Sequence, residues 1–155
     1  MGTRRRSREL ALQFLYQFDT MSETSQGAED AASGEPSLDE ELELFWEGHG
    51  DRVQGEMRDF ASTLIRGTCA NLDHIDGVIS GYSENWRLSR MSKIDRNILR
   101  VALYELVYLS GIPPAVTINE AVELGKRFGT EESGSFINGI LDKIRLAREN
   151  GELLG

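Results

Sequence analysis

Four of the first eight residues are arginine: Arg4, Arg5, Arg6 and Arg8. Leu10, Ala11, Phe14, Leu15 and Phe18 follow at the spacing of one apolar helix face, with Thr3 as its N-cap. The arginines therefore fall in the first turns, where the helix dipole disfavours cations by about 0.3–1 kcal/mol each and where they repel one another. Folding does not ask for that arrangement. A bound anion offsets its cost, and the free N–H groups at a helix start help to hold one. The plain alternative is a solvated basic tail. A membrane-surface helix fits less well, because the cations gather at one end instead of running along a face.

The rest of the chain offers little for catalysis. It holds no Gly-rich loop ending in Gly-Lys-Ser/Thr, no dinucleotide fingerprint and no His-Glu-x-x-His signature. His49 and His74 are the only histidines. Asp73-His74-Ile75-Asp76 could supply two metal ligands, but adjacent positions on a helix splay apart, so a capped, partly exposed turn is the better reading. The single Cys69 excludes an intramolecular disulfide framework and suits a cytosolic protein. It lies in an apolar helical pattern and is expected as a small buried hydrophobe. These observations point to a non-enzyme with neither cofactor nor metal.

Net charge is −9 and the pI about 4.8, which taken alone argues against a nucleic-acid partner. The distribution matters more than the sum. The acids crowd into residues 23–59, away from the arginine cluster. Residues 20–37 are small, polar or acidic and are expected as a mobile acidic surface loop. The first twenty residues lack the apolar core of a signal peptide, and no run is long enough to span a bilayer. A cytoplasmic protein without a membrane role is expected. The length suits one compact domain or two tightly packed subdomains.

The elements that must carry the chemistry read as helices throughout, with no sustained period-2 alternation. Ser37 starts a short acidic helix with Leu38, Leu42 and Phe45 or Trp46 facing inward. A long pattern from Val53 to Ile75 breaks near Asn71, with Asp73 as the next cap. Tyr82 to Met91 is a connector that Trp86 and Leu88 pin down. Ser92 and Asp95 open a helix that is apolar nearly all round between Ile98 and Leu109, so it belongs at the centre of the fold. Gly111, Pro113 and Pro114 end it. Thr117 and Glu120 form a capping box for the next helix, whose apolar face is Ile118, Ala121, Val122, Gly125 and Phe128. Lys126 and Arg127 fall in its last turn and Gly129 closes it. Thr130 or Ser133 caps the last helix, whose apolar face is Phe136, Ile137, Ile140, Leu141 and Ile144. Gly139 is expected at a close helix–helix contact.

Three blocks carry a family resemblance. Ile-Asp-Arg-Asn-Ile-Leu-Arg-Val-Ala-Leu-Tyr-Glu-Leu from residue 94, Thr-Ile-Asn-Glu-Ala-Val-Glu-Leu-Gly-Lys-Arg-Phe-Gly from 117 and Ser-Phe-Ile-Asn-Gly-Ile-Leu-Asp-Lys-Ile from 135 resemble the NusB family of bacterial transcription antitermination factors. The opening Arg-Arg-Arg-Ser-Arg-Glu-Leu-Ala-Leu-Gln-Phe-Leu-Tyr resembles that family's first helix, in the right order and at the right distance. The likeness is close over residues 3–20 and 92–145 and looser between.

The resemblance implies an all-α fold of about seven helices in two small bundles packed together, residues 1–155 forming a single RNA-binding domain. Periodicity shows helices and not their arrangement. The implied partners are single-stranded boxA RNA of ribosomal RNA transcripts, the ribosomal protein NusE, and RNA polymerase with the other Nus factors. The implied RNA contacts are Arg4, Arg5, Arg6 and Arg8, then Lys126, Arg127, Glu132 and Phe136. Lys126, Arg127 and Glu132 are equally explicable as dipole-compensating surface residues, and Phe136 as core. Tyr16 and Asp95 match positions that meet NusE.

The acidic loop is longer than the family's usual one, and residues 82–91 match poorly, which blurs the NusE surface. Some family members pair with themselves in ways that hide the RNA face, so a homodimer stays among the expectations. Two other readings compete. One is a helical adaptor that binds proteins only. The other is a fragment of a ribosomal RNA cytosine methyltransferase, whose N-terminal domain has a similar fold.

Overall fold

The computed structural model describes residues 2–26, 37–83 and 87–152. Among them are seven α-helices and no strand: α1 (Thr3–Gln26), α2 (Leu38–His49), α3 (Gly55–Ala70), α4 (Leu72–Tyr82), α5 (Lys93–Tyr108), α6 (Pro114–Phe128) and α7 (Ser133–Glu149). The expected all-α class holds. Single 3-10 turns at Gly50–Arg52 and Leu88–Arg90 lead into α3 and α5. The chain divides into two compact units, residues 1–63 and 64–155.

In the first unit α1 and α2 bury the residues that periodicity selects. Leu10, Ala11, Phe14 and Leu15 are buried from α1, and Leu42, Phe45 and Trp46 from α2. Phe45 meets Phe14 edge-on at 5.4 Å and Trp46 at 5.1 Å, the geometry that aromatic quadrupoles favour. Leu38 and Phe18 stay only half-buried. Ser37 caps α2 as expected, accepting the Glu40 N–H. Gly50 ends α2 with φ +59°, a left-handed value that favours glycine. Thr3 is the first helical residue and not the cap; the Gly2 carbonyl accepts the Arg6 N–H instead. Helix α1 also runs on through Gln26. Residues 20–26, expected in the acidic loop, are therefore helical, since neither glycine nor proline interrupts the run before Gly27. Residues 27–36 of that loop lie outside the described residues, as does Trp86 of the connector.

The second unit is built on α5, which touches α4, α6 and α7. Ser92 caps it by accepting the Asp95 N–H at 3.1 Å. Ile98, Leu99, Leu103 and Leu106 are buried, and so are the two charged residues of the run, Arg100 and Glu105. Each is partnered. Arg100 forms a two-pronged pair with Asp76 of α4, Nε to Oδ1 at 2.8 Å and Nη2 to Oδ2 at 2.9 Å, and donates to Asn97 at 3.1 Å. Glu105 accepts from the Thr117 hydroxyl at 3.3 Å.

That last bond corrects one expectation. Helix α6 starts at Pro114, a turn before Thr117, because proline at the first helical position has its φ preset and no N–H to satisfy. Thr117 is interior to the helix, and its hydroxyl serves Glu105. Likewise α4 starts at Leu72, so Asp73 stands in its first turn and Asn71 precedes it. Gly139 is exposed with open space around it. The tight approach of α6 and α7 falls at Gly125 instead, where a Cβ would meet Ile137 Cδ1 at 2.8 Å.

Candidate nucleic-acid interface

The N-terminal arginines do not form one set. Arg4, Arg5 and Arg6 are exposed on the first turns of α1, whose first turn holds no acidic residue. Their charge adds to the positive end of the helix dipole. Arg4 approaches Glu56 at 3.9 Å with both side chains well exposed, a pair of little energy. Arg6 donates to Glu9 at 3.1 Å. Arg8 is different. It is only 4% exposed, its guanidinium carbon 5.6 Å from the Phe60 ring centroid. Between them Ser7 is fully buried and donates to the Met57 carbonyl at 2.7 Å, which fixes the rotation of α1 against α3. Arg4 and Arg8, one turn apart on the same helix face, both lie over the Phe60 ring, Arg4 exposed and Arg8 buried.

In the second unit the remaining candidates meet at the junction of α6 and α7. Lys126 and Arg127 are exposed in the last turn of α6, where the dipole favours them. Gly129 follows in extended backbone, and a Cβ on it would fall 2.3 Å from Ser133 Oγ and 2.8 Å from the Gly125 carbonyl oxygen, so only glycine allows so sharp a turn. Thr130 and Ser133 then lock the connection. The Thr130 N–H donates to the Ser133 hydroxyl at 2.9 Å, and the Ser133 N–H donates to the Thr130 carbonyl at 3.1 Å. The Thr130 hydroxyl also accepts the Glu132 N–H at 3.3 Å. Ser133 is thus the first helical residue and not the cap. The stem of Lys126 lies over Gly134, 3.3 Å from where its Cβ would be. Glu132 is exposed and Phe136, one turn on, is half-buried, not the core residue its spacing suggests.

Sequence reasoning missed Phe128. Its spacing places it on the apolar face of α6, yet it is 45% exposed, with the Arg127 guanidinium 5.1 Å from its ring centroid. The available signal was its position: last residue of the helix, beside two cations and before Gly129. An exposed ring next to cations suits stacking on a nucleobase, and the cations suit phosphate.

Tyr16 and Asp95 are placed separately, one in each unit. Tyr16 is 40% exposed. Asp95 does not complete the capping box at Ser92; its Oδ1 is buried and makes no hydrogen bond among the described residues.

The metal alternative dissolves in side-chain detail. His74 hydrogen-bonds through Nδ1 to the Tyr108 hydroxyl, and Asp76 is taken by Arg100. Among the described residues no cluster of three or more His, Cys, Asp or Glu could hold a metal ion. Cys69 is partly buried, and burial pushes its thiol up to about 11 against a smaller opposing effect of Arg100. No described helix is long and apolar enough to cross a membrane.

An all-α fold with exposed cations and an exposed ring at helix ends has the chemistry that suits a nucleic-acid binding protein. Comparison with known proteins makes that specific. The NusB family model matches residues 5–145, and the chain belongs to the NusB family. The transcription antitermination protein NusB of Desulforapulum autotrophicum is 46% identical over 96% of this chain and 94% of its own. The solved structure of T. maritima NusB is 38% identical, covers 97% of each chain and has a TM-score of 0.79. A structure of the antitermination factors NusB and NusE in complex with dsRNA matches at 26% identity and TM-score 0.74, over 95% of this chain and 98% of that one. The role for which these relatives are named, transcription antitermination, is not an enzymatic one.

Proposed function

We propose that this chain, a non-catalytic NusB-family antitermination factor, binds single-stranded boxA RNA of ribosomal RNA transcripts together with NusE. The complex joins transcribing RNA polymerase with the other Nus factors and suppresses premature termination, in the cytoplasm, with residues 1–155 acting as a single RNA-binding domain. One observation carries the reading: three exposed arginines crowd the positive end of a helix dipole, an arrangement that costs folding energy and that a phosphate backbone relieves. Arg4, Arg5 and Arg6 track phosphates. Lys126 and Arg127 do the same at the α6–α7 junction, where Phe128 and Phe136 offer rings to bases and Glu132 accepts from base amino groups. Arg8 supports this surface from behind. Tyr16 offers NusE an exposed ring, and Asp95 its half-exposed carboxylate.

The test is binding of the purified protein to a boxA single strand, a scrambled strand and an RNA duplex, over a salt series, with and without NusE. The expected result is preference for the boxA strand, tightened by NusE. Replacing Arg4 and Arg5 with Ala should weaken binding to every sequence and make the salt slope shallower by about 0.7 for each phosphate no longer neutralised. An unchanged slope would remove these residues from the interface. NusE binding with no RNA preference under any condition would leave a protein adaptor.

A further inference from the structure

A second group of cations lies outside every contact named so far. Residues 87–94 hold Arg87, Arg90 and Lys93 and no acid, in a chain whose net charge is −9. Arg87 precedes the single 3-10 turn Leu88–Arg90 and Arg90 ends it. The Arg90 N–H donates to the Arg87 carbonyl at 2.9 Å, which closes the turn and brings the two Cα atoms within about 7 Å. The turn is held from inside. Met91 is buried and Leu88 half-buried, and the Leu88 carbonyl accepts from Nη1 of Arg96, itself only 7% exposed, at 3.4 Å. The outer face is left to Arg87 and Arg90, both exposed. Neither makes a hydrogen bond, ion pair or ring contact among the described residues, so the described fold makes no use of their charge.

Helix order puts this turn beside the proposed RNA contacts of the second unit. Residues 109–113 join α5 to α6, and the Glu105–Thr117 bond crosses between the two helices at equal distances from that connection. The helices therefore run antiparallel, as neighbours joined by a short connection do. Helix α7 turns back again, since Lys126 near the end of α6 lies over Gly134 at the start of α7. The start of α5 and the α6–α7 junction thus share one end of the unit. Arg87, Arg90 and Lys93 stand at that end with Lys126, Arg127 and the exposed Phe128 ring. Asp95, Glu131 and Glu132 are acids of the same end, and Glu123 pairs with Lys126 at 3.6 Å; none of them is on the turn. Guanidinium groups on a fixed turn suit phosphate, which they grip two-pronged at little ordering cost. An acidic protein segment suits this end less well, because it leaves the exposed ring unused.

We propose that the Leu88–Arg90 turn extends the nucleic-acid surface, with Arg87 and Arg90 holding phosphates of the same single strand that meets the α6–α7 junction. The inference rests on the reading of this chain as an RNA-binding protein, and it adds contacts that lie outside the blocks carrying the family resemblance. The experiment is the salt dependence of binding between the full chain and a boxA single strand, followed by fluorescence anisotropy. It compares the parent protein, the double variant Arg87→Ala with Arg90→Ala, and Arg148→Ala. Arg148 is an exposed arginine at the far end of α7 and controls for the loss of charge alone. The double variant should keep the parent melting temperature and NusE binding, since both side chains are exposed. Its salt slope should be shallower by about 1.4, which is 0.7 for each phosphate no longer neutralised, while Arg148→Ala keeps the parent slope. A parent slope in the double variant overturns the proposal and leaves the RNA reading standing. An equal change in Arg148→Ala also overturns it, because the effect is then one of net charge. Lost NusE binding with a parent slope overturns it too, and assigns the turn to the protein partner. No RNA binding by the parent protein at any salt concentration overturns the RNA reading itself, and the proposal with it.

Discussion

Arg8 lies buried against the ring of Phe60, while Arg4, four residues earlier on the same helix face, stands over that ring at 4.4 Å and stays exposed. One aromatic side chain thus holds two arginines with different consequences. Arg8→Ala removes a desolvated cation–π contact and the packing of a long stem, and should lower stability by about 1–2 kcal/mol. Arg5→Ala, on the exposed side, should change stability by no more than about 0.5 kcal/mol. Urea unfolding of both variants checks the contrast. Equal destabilisation would mean that burial does not separate these arginines.

Phe128 is exposed at the end of α6 and Phe136 is half-buried on α7. Phe128→Ala should leave the melting temperature close to the parent value and weaken RNA binding by about 1–3 kcal/mol if its ring stacks on a base. Phe136→Ala should lower both. Thermal melts beside RNA titrations separate the two residues, and normal RNA affinity in Phe128→Ala would take that ring out of the interface.

Two ion pairs of similar appearance should differ in value. Arg100–Asp76 joins α5 to α4 from a largely buried guanidinium, whereas Arg145–Asp142 is only half-buried although its contact is shorter, 2.6 Å. Asp76→Ala strands a buried charge and should cost about 3 kcal/mol, the low end for a broken buried pair because Asp76 is itself partly exposed. Asp142→Ala should produce a far smaller effect, since water screens that pair. Denaturant midpoints of the two variants decide it.

The Cys69 thiol is pushed from its ordinary 9.0 to about 11, first by burial, with Arg100 opposing. The folded state therefore holds the proton more tightly than the unfolded chain. Between pH 9 and 11 the unfolded chain releases it first, so this group's contribution to stability is complete below pH 9 and is lost as pH rises towards 11. Cys69→Ala should flatten the alkaline fall in stability. A thiol reagent should react slowly at neutral pH, where the reactive thiolate is scarce. Fast labelling of the folded protein at pH 7 would contradict the burial.

Much of the helix plan follows from local sequence. Ser37 and Ser92 cap their helices because a side-chain oxygen followed by an acidic turn acts within one turn of chain, with no help from the rest of the molecule. The core faces of α1, α5 and α7 come from apolar spacing for the same reason, and the Lys126-Arg127 pair from dipole logic. The three family blocks also lie within continuous segments, so membership of the NusB family was legible before any folding.

Tertiary packing decided what happens where two elements meet. Spacing puts Phe128 on the same face as Ile118 and Ala121, but α6 ends beyond the cover of its neighbours and the ring is left in solvent. Gly139 reads as a close contact, yet the approach of α6 and α7 falls at Gly125. Thr117 has every local mark of a cap, and a buried Glu105 from another helix claims its hydroxyl. The sharpest case is the arginine cluster: four identical side chains in five residues, of which Arg8 alone is buried, against Phe60. A periodic pattern assigns a direction around a helix axis. Whether anything stands in that direction depends on residues fifty positions away, and no local rule contains them.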